Sequence, residues 1–306
     1  MIHSRRYYDL NTYFRERFGC RVQKITIDAG LSCPNRDGTL STGGCIYCNQ
    51  QGSGTGAHGR GLSITDQLVA GKTAMSRRYG AKKFIAYFQS FTNTYAPLER
   101  LSAMYGEALA IADVVGLSVG TRPDCIRPEV IDLLASYAKD RLVWIEYGLQ
   151  SAHDSTLARI NRGHGFAAFE NAVAATKNRG IRICAHVILG LPGETREMML
   201  DTARILSGMG IDGIKLHLLY VVKDTVLAEW YRKGEYRCLT QQEYVDLVCE
   251  FLVRLPENVV IQRLTGDPRK DELIAPEWAL EKGKTLNLIE KTLEERGIRQ
   301  GMATKV

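Results

Sequence analysis

The stretch RVQKITIDAGLSCPNRDGTLSTGGCIYC, residues 21–48, governs the reading of the whole chain. Its first ten residues are rich in β-branched and apolar types and stop at Gly30, as a strand does. Cys33, Cys45 and Cys48 follow at once, in the spacing C-x11-C-x2-C. Thiols at i and i+3 can face one centre from a tight turn, and a loop containing Gly43 and Gly44 can present the third. Soft sulfur ligands select zinc, copper(I) or iron–sulfur. A closed zinc site has four ligands, and the nearest further candidate is His58, in the segment QQGSGTGAHGRG at 50–61. Iron–sulfur cubanes are normally held by four cysteines, so three thiols leave one iron open. The thiols alone keep two readings: a zinc-binding, non-catalytic RNA protein, and a cluster enzyme.

Outward from that stretch, strand and helix patterns alternate. Strand patterns recur at 83–89, 114–121, 141–151, 181–194 (ending in a turn) and 211–222. Helical patterns lie between and after them: 64–80 with Thr65 as cap, 96–113, 127–140, two stretches (HDSTLARI and GFAAFENAVAATKNRG) within 153–180, the second stopping at Gly180, 195–210 and 240–255. With the first strand these make six βα units, which predicts a parallel sheet coiling in one direction. An open doubly wound sheet and an incomplete barrel both fit. In either, functional groups belong at the C-terminal strand ends. Residues 257–267 read as one further strand and 278–297 as a final helix. Segment 50–61 is too glycine-rich for a core element; it reads as the mouth of a site, with 52–61 closing over it.

Composition narrows the class. In 306 residues, 45% are hydrophobic and 24% charged, which excludes disordered, collagen-like and small disulfide-stapled chains. No apolar run approaches the roughly 20 residues of a membrane span. The start, MIHSRRYYDLNTYFRERFG, has charges where a signal peptide needs an apolar stretch. A cytoplasmic protein is expected, whose eight cysteines are thiols rather than a disulfide framework. The net charge of +6 permits an anionic partner without demanding one. Basic residues gather at 1–24 and again at 72–83, the latter reading as a solvated helix face. In the N-terminal arm, Tyr7, Tyr8, Tyr13 and Phe14 sit among arginines. They suit RNA phosphates and stacked bases, or an amphipathic helix packing Tyr13, Phe14 and Phe18 on the body of the fold.

Taken in order, the motifs resemble the radical S-adenosylmethionine (SAM) enzymes. The usual spacing there is C-x3-C-x2-C; the longer first gap is similar to a bacterial branch close to the elongator catalytic subunit. The likeness runs over about residues 20–265. It is carried by Gln89-Ser90-Phe91-Thr92-Asn93-Thr94, Thr121-Arg122-Pro123-Asp124, Glu146-Tyr147-Gly148-Leu149-Gln150-Ser151, Arg159-Ile160-Asn161-Arg162-Gly163-His164, and His186-Val187-Ile188-Leu189-Gly190-Leu191-Pro192-Gly193-Glu194. The resemblance implies an α/β fold, a partial (β/α)6 TIM-like barrel with extensions: a basic helical one at 1–20, the barrel at 21–265 and a helical one at 266–306. It implies a [4Fe–4S] cluster on Cys33, Cys45 and Cys48, with SAM on the open iron cleaved to a 5′-deoxyadenosyl radical. Ser90 and Thr92 stand where the family contacts the methionine amino group. Gln150 and Ser151 stand near the ribose, His186 and Ile188 on the adenine strand, and Asp124 and Arg162 beside them, with Asn161 a further polar candidate. The branch implies a tRNA partner, the carbon-5 side chain of the wobble uridine going from carboxymethylaminomethyl to aminomethyl, and a reductant such as flavodoxin or ferredoxin. A radical enzyme acting on a protein or small metabolite is the alternative.

Plainer readings stand beside these. Leu191-Pro192-Gly193-Glu194 can be only a strand-to-helix turn. Strand six brings Lys215 and His217 to the same rim; in the plainer reading His217 is a satisfied core histidine, and Lys215, alternating with Ile214 and Leu216, faces away from the site. Cys125, Cys184, Cys238 and Cys249 read as small buried hydrophobes.

Overall fold

Successive side chains of a strand point to opposite faces, and here both faces are covered. The computed structural model describes residues 5–49, 52 and 56–304. A short helix α1 (Leu10–Phe18) precedes β1 (Val22–Ile27). Then come α2 (Ile64–Tyr79), β2 (Lys83–Phe88), α3 (Leu98–Ala110), β3 (Val114–Thr121), α4 (Pro128–Ala138) and β4 (Leu142–Gln150). Helices α5 (Asp154–Arg159) and α6 (Phe166–Thr176) lead to β5 (Arg182–Leu189), α7 (Arg196–Gly208) and β6 (Gly213–Leu218). The chain continues through β7 (Val221–Val222), α8 (Val226–Arg232), α9 (Gln241–Val253), β8 (Val260–Arg263), β9 (Leu273–Ala275) and α10 (Lys282–Glu295).

Seven parallel strands, in the order β1-β2-β3-β4-β5-β6-β8, curl into a half-barrel. The incomplete barrel is thus the form adopted, with β8 as the further strand. β7 and β9 form a separate antiparallel pair. Two local readings change. Ser63, not Thr65, caps α2, in a reciprocal capping box with Asp66. The two helical stretches within 153–180 form as α5 and α6, with Asn161 and Gly163 at positive φ between them. Helix α8 and the pair β7–β9 were not foreseen, being too short to set up a period.

The outward strand faces pack the helices over the main core, with Ile25, Phe84, Leu117, Ile145, Val187 and Leu216 all buried. The inward faces form layers. At the N-terminal strand ends Val22, Ile85, Trp144, Cys184 and Val260 make an apolar floor, and Phe14 of α1 plugs it from below. Tyr13 meets Trp144 edge-on at 5.6 Å between centroids. The aromatics of α1 therefore follow the packing alternative. Gly213 makes room for the indole: a Cβ there would stand 2.8 Å from Trp144. Among the described residues no helix is long and apolar enough to cross a membrane.

Candidate active site

Two residues up each strand, the interior turns polar. Lys24, Tyr87, Ser118, Glu146, His186, Lys215 and Gln262 come from seven different strands. The Lys24 ammonium donates to Ser118 Oγ at 2.9 Å, Gln262 Oε1 at 2.6 Å and Glu146 Oε1 at 2.5 Å. Lys215 donates to Glu146 Oε2, and Ser118 Oγ to Oε1. His186 Nε2 lies 2.8 Å from the same carboxylate. The Lys215 ammonium also sits over the Tyr87 ring, 4.0 Å from its centroid. Burial alone would raise the Glu146 carboxyl, but the Lys215 and Lys24 charges and the His186 hydrogen bond bring it well below the usual range. Glu146 is therefore an anion that joins the strands across the barrel.

Above this layer, at the C-terminal strand ends, lies a cavity of about 600 Å³. Cys33, Cys45 and Cys48 all line it. The long first gap is taken up by turns: Arg36 N donates to Cys33 O at 2.8 Å, Leu40 N to Pro34 O at 2.8 Å and Gly44 N to Asn35 O at 2.7 Å. Cys48 N closes the C-x2-C turn on Cys45 O at 2.9 Å. Asn161 and Asn35 stitch this loop to the segment after α5. Asn161 Nδ2 donates to Gly44 O, and Asn35 Nδ2 to Asn161 O, each at 2.7 Å.

Donors point at the sulfurs. Arg36 Nη1 is 3.3 Å from Cys48 Sγ, and Asn35 Nδ2 and Arg162 Nη1 are each 3.7 Å from Cys45 Sγ. Arg162 also donates to Gly148 O at 2.6 Å, and a Cβ at Gly148 would meet that guanidinium at 2.7 Å. Asn35 Oδ1, Arg162 Nε, Ser90 Oγ, Thr92 Oγ1 and His217 Nε2 are buried with no hydrogen-bond partner among the described residues. Native interiors rarely leave such groups unmet; of these, Thr92, Arg162 and His217 line the cavity and offer places for polar ligand atoms.

The family model "Radical SAM superfamily" matches residues 38–206, and "Radical_SAM C-terminal domain" matches 211–295. The protein YtqA of Bacillus subtilis is 42% identical over 97% of this chain and 92% of its own length. The chain belongs to the radical SAM superfamily. Among more distant relatives, the tRNA uridine(34) acetyltransferase of Dehalococcoides mccartyi is 28% identical over 50% of this chain and 33% of its own. In fold, the chain is similar to an archaeal Elp3 from Methanocaldococcus infernus, with TM-score 0.70 and 18% identity, over 91% of this chain and 64% of that one.

Radical SAM enzymes use a [4Fe–4S] cluster and SAM, and the residues present fit them. Three thiols ring one cavity wall, with N–H donors aimed at two of them. Among the described residues no three Cys, His, Asp or Glu side chains close on one point as the ligands of a single ion do. A cubane takes one thiolate per iron, and Cys33, Cys45 and Cys48 offer three around one cavity. His58, the fourth ligand of the zinc reading, packs over Gly30 and is not on the cavity wall.

Of the residues singled out in the sequence, Thr92, Gln150, Arg162, His186 and Ile188 line the radical SAM cavity with the three cysteines. Gln150 does so from a left-handed backbone, φ 76°. Ser90, Asp124 and Ser151 lie off the wall. Ser90 is fully buried, Asp124 pairs with Arg122 at 2.8 Å, and Ser151 Oγ donates to Glu194. Asn161 braces the cysteine loop rather than lining the cavity. Lys215 faces inward, contrary to the plainer reading, and His217 lines the cavity unsatisfied. Cys184 and Cys249 are fully buried as expected, whereas Cys125 and Cys238 are half-buried. Of the glycine-rich segment, residues 50, 51 and 53–55 lie outside the described residues; Gly52 lines the cavity. The sequence reading gave no role to Glu146, Tyr87 or Arg263. Their signal was polar residues at alternate positions of otherwise apolar strands.

Proposed function

We propose that this radical SAM enzyme modifies the carbon-5 side chain of the tRNA wobble uridine, taking carboxymethylaminomethyl to aminomethyl. The observation that carries the reading is the sequence likeness, over half of this chain, to a protein named as a tRNA uridine(34) acetyltransferase. The Elp3-like fold is consistent with it. When bound, the cluster and SAM supply a radical that abstracts hydrogen only at near-contact range, so the chain's task is placement.

In this reading Cys33, Cys45 and Cys48 hold the cluster, while Asn35, Arg36 and Arg162 direct N–H groups at the sulfurs of Cys45 and Cys48 and orient them. Thr92, Gln150, Arg162, His186 and Ile188 contact SAM, with Ser90, Asp124 and Ser151 supporting them from behind the wall. The apolar floor and Phe14 keep water from entering below. The substrate partner is tRNA, and a reductant such as flavodoxin or ferredoxin delivers the electron. Mass spectrometry of tRNA nucleosides from a strain lacking the gene tests this. Carboxymethylaminomethyluridine should accumulate and its aminomethyl descendants vanish; an unchanged wobble profile would remove tRNA as the substrate.

A further inference from the structure

Five guanidinium groups line the cavity: Arg36, Arg122, Arg162, Arg263 and Arg269. Four are engaged. Arg36 reaches Cys48 Sγ and Asn49 O, Arg122 pairs with Asp124, Arg162 holds Cys45 Sγ and Gly148 O, and Arg269 pairs with Asp271 and Glu272. Arg263 makes no hydrogen bond or ion pair with any described residue. It sits half-buried at the end of β8, where a register shift sets it opposite Lys215 of β6. Irregular pairing of this kind re-aims side chains, and here both Gln262 and Arg263 reach the interior.

The acids near it are committed elsewhere. Glu146 serves Lys24 and Lys215, Asp267 pairs with Lys282 at 2.8 Å, and Glu272 holds Arg269 and Asn49. On the neighbouring strand His217 lines the same wall, its Nε2 buried and without a partner among the described residues. Burial, then the charge of Arg263, pushes His217 well below its ordinary value, so it stands neutral and can donate one N–H. Burial also pushes Lys215 down, and Lys24 and Arg263 add to the shift. With Asp267 and Glu272 each paired to another cation, Lys24, Lys215 and Arg263 are left with Glu146 alone among the described carboxylates.

We propose that Arg263 and His217 form the seat of a substrate carboxylate. Resting on the wobble-uridine reading, that carboxylate is the one on the carboxymethyl arm removed in the reaction. The planar guanidinium presents paired N–H groups that match a carboxylate edge, and His217 adds a third donor. The other source of the same chemistry is the carboxylate of SAM. The residues assigned to SAM, however, come from the ends of β2, β4 and β5 and the segments after them, whereas Arg263 and His217 occupy the remaining arc on β8 and β6.

The test uses the reconstituted holoenzyme and two tRNAs, one with carboxymethylaminomethyluridine and one with aminomethyluridine at the wobble position. Affinity for each and for SAM is measured in the unsubstituted enzyme, Arg263→Met and Arg263→Lys. The unsubstituted enzyme should convert the first tRNA and bind it about tenfold or more tighter than the second, as a charge-assisted contact predicts. Arg263→Met should bind both tRNAs equally and SAM as before, and Arg263→Lys should keep part of the preference. Discrimination surviving in Arg263→Met overturns the seat, as does a loss confined to SAM affinity, which would give Arg263 to the cofactor. Should Arg263→Met fail to fold, undiminished discrimination in Arg263→Lys together with full discrimination in His217→Ala overturns it instead. Absence of turnover with either tRNA in the unsubstituted enzyme sinks the substrate reading itself, and the seat with it.

Discussion

Glu146 is fully buried and ionised because two ammonium groups and a histidine meet its two oxygens. Such an arrangement is costly to break from one side, since the partners remain buried without their counter-charge. Glu146→Gln should lower the unfolding free energy by about 3–5 kcal/mol in a denaturant titration. The pH dependence has a definite sign. The folded carboxyl is held below its ordinary 4.5, so its contribution is present above that value and lost as pH falls through the lower folded value. The unsubstituted protein should lose stability through that acid window, and Glu146→Gln should show a shallower loss. Equal stability and equal acid slopes would deny the network its role. In sequence, Glu146 is a lone charge inside an apolar strand segment, and nothing there names its partners. Its partners Lys24 and Lys215 are 122 and 69 residues away, a distance only the curled sheet closes.

At the scale of elements, the strands were legible because covered parallel strands read as apolar runs between turn signals. The inward layers were not, because the same runs hide which parity faces the barrel. Gly213 shows the difference: it reads as a strand start, yet its missing side chain admits the Trp144 ring, and Val260 O lies 3.1 Å from where a Cβ would be. Gly213→Ala should cost about 1–3 kcal/mol through overpacking, measured as a lower denaturant midpoint with unchanged slope. An unshifted midpoint would mean that the floor can yield. The cysteine loop was legible in its thiols but not in its bracing. Asn35 and Asn161 look like loop polar residues, and only the fold brings Asn161 back onto the carbonyl of Gly44.

For the whole molecule, order along the chain was the strongest signal. Motifs following successive strands become one cavity wall when the sheet curls, which is why Cys33, Thr92, Gln150, Arg162 and His186 meet. Ser90, Asp124 and Ser151 show the limit, since a neighbouring position in sequence can face behind the wall. The proposed activity depends on Cys33, Cys45 and Cys48 holding a cubane at the mouth of the half-barrel. The direct measurement is anaerobic reconstitution with iron and sulfide, reading bound iron and absorbance near ~400 nm in the unsubstituted protein and in Cys33→Ala, Cys45→Ala, Cys48→Ala and Cys249→Ala. The first and last should be brown and iron-loaded, and the three loop variants should lose the cluster. Retention of iron and colour in those three variants, or a colourless unsubstituted protein that takes up only zinc, would contradict the account.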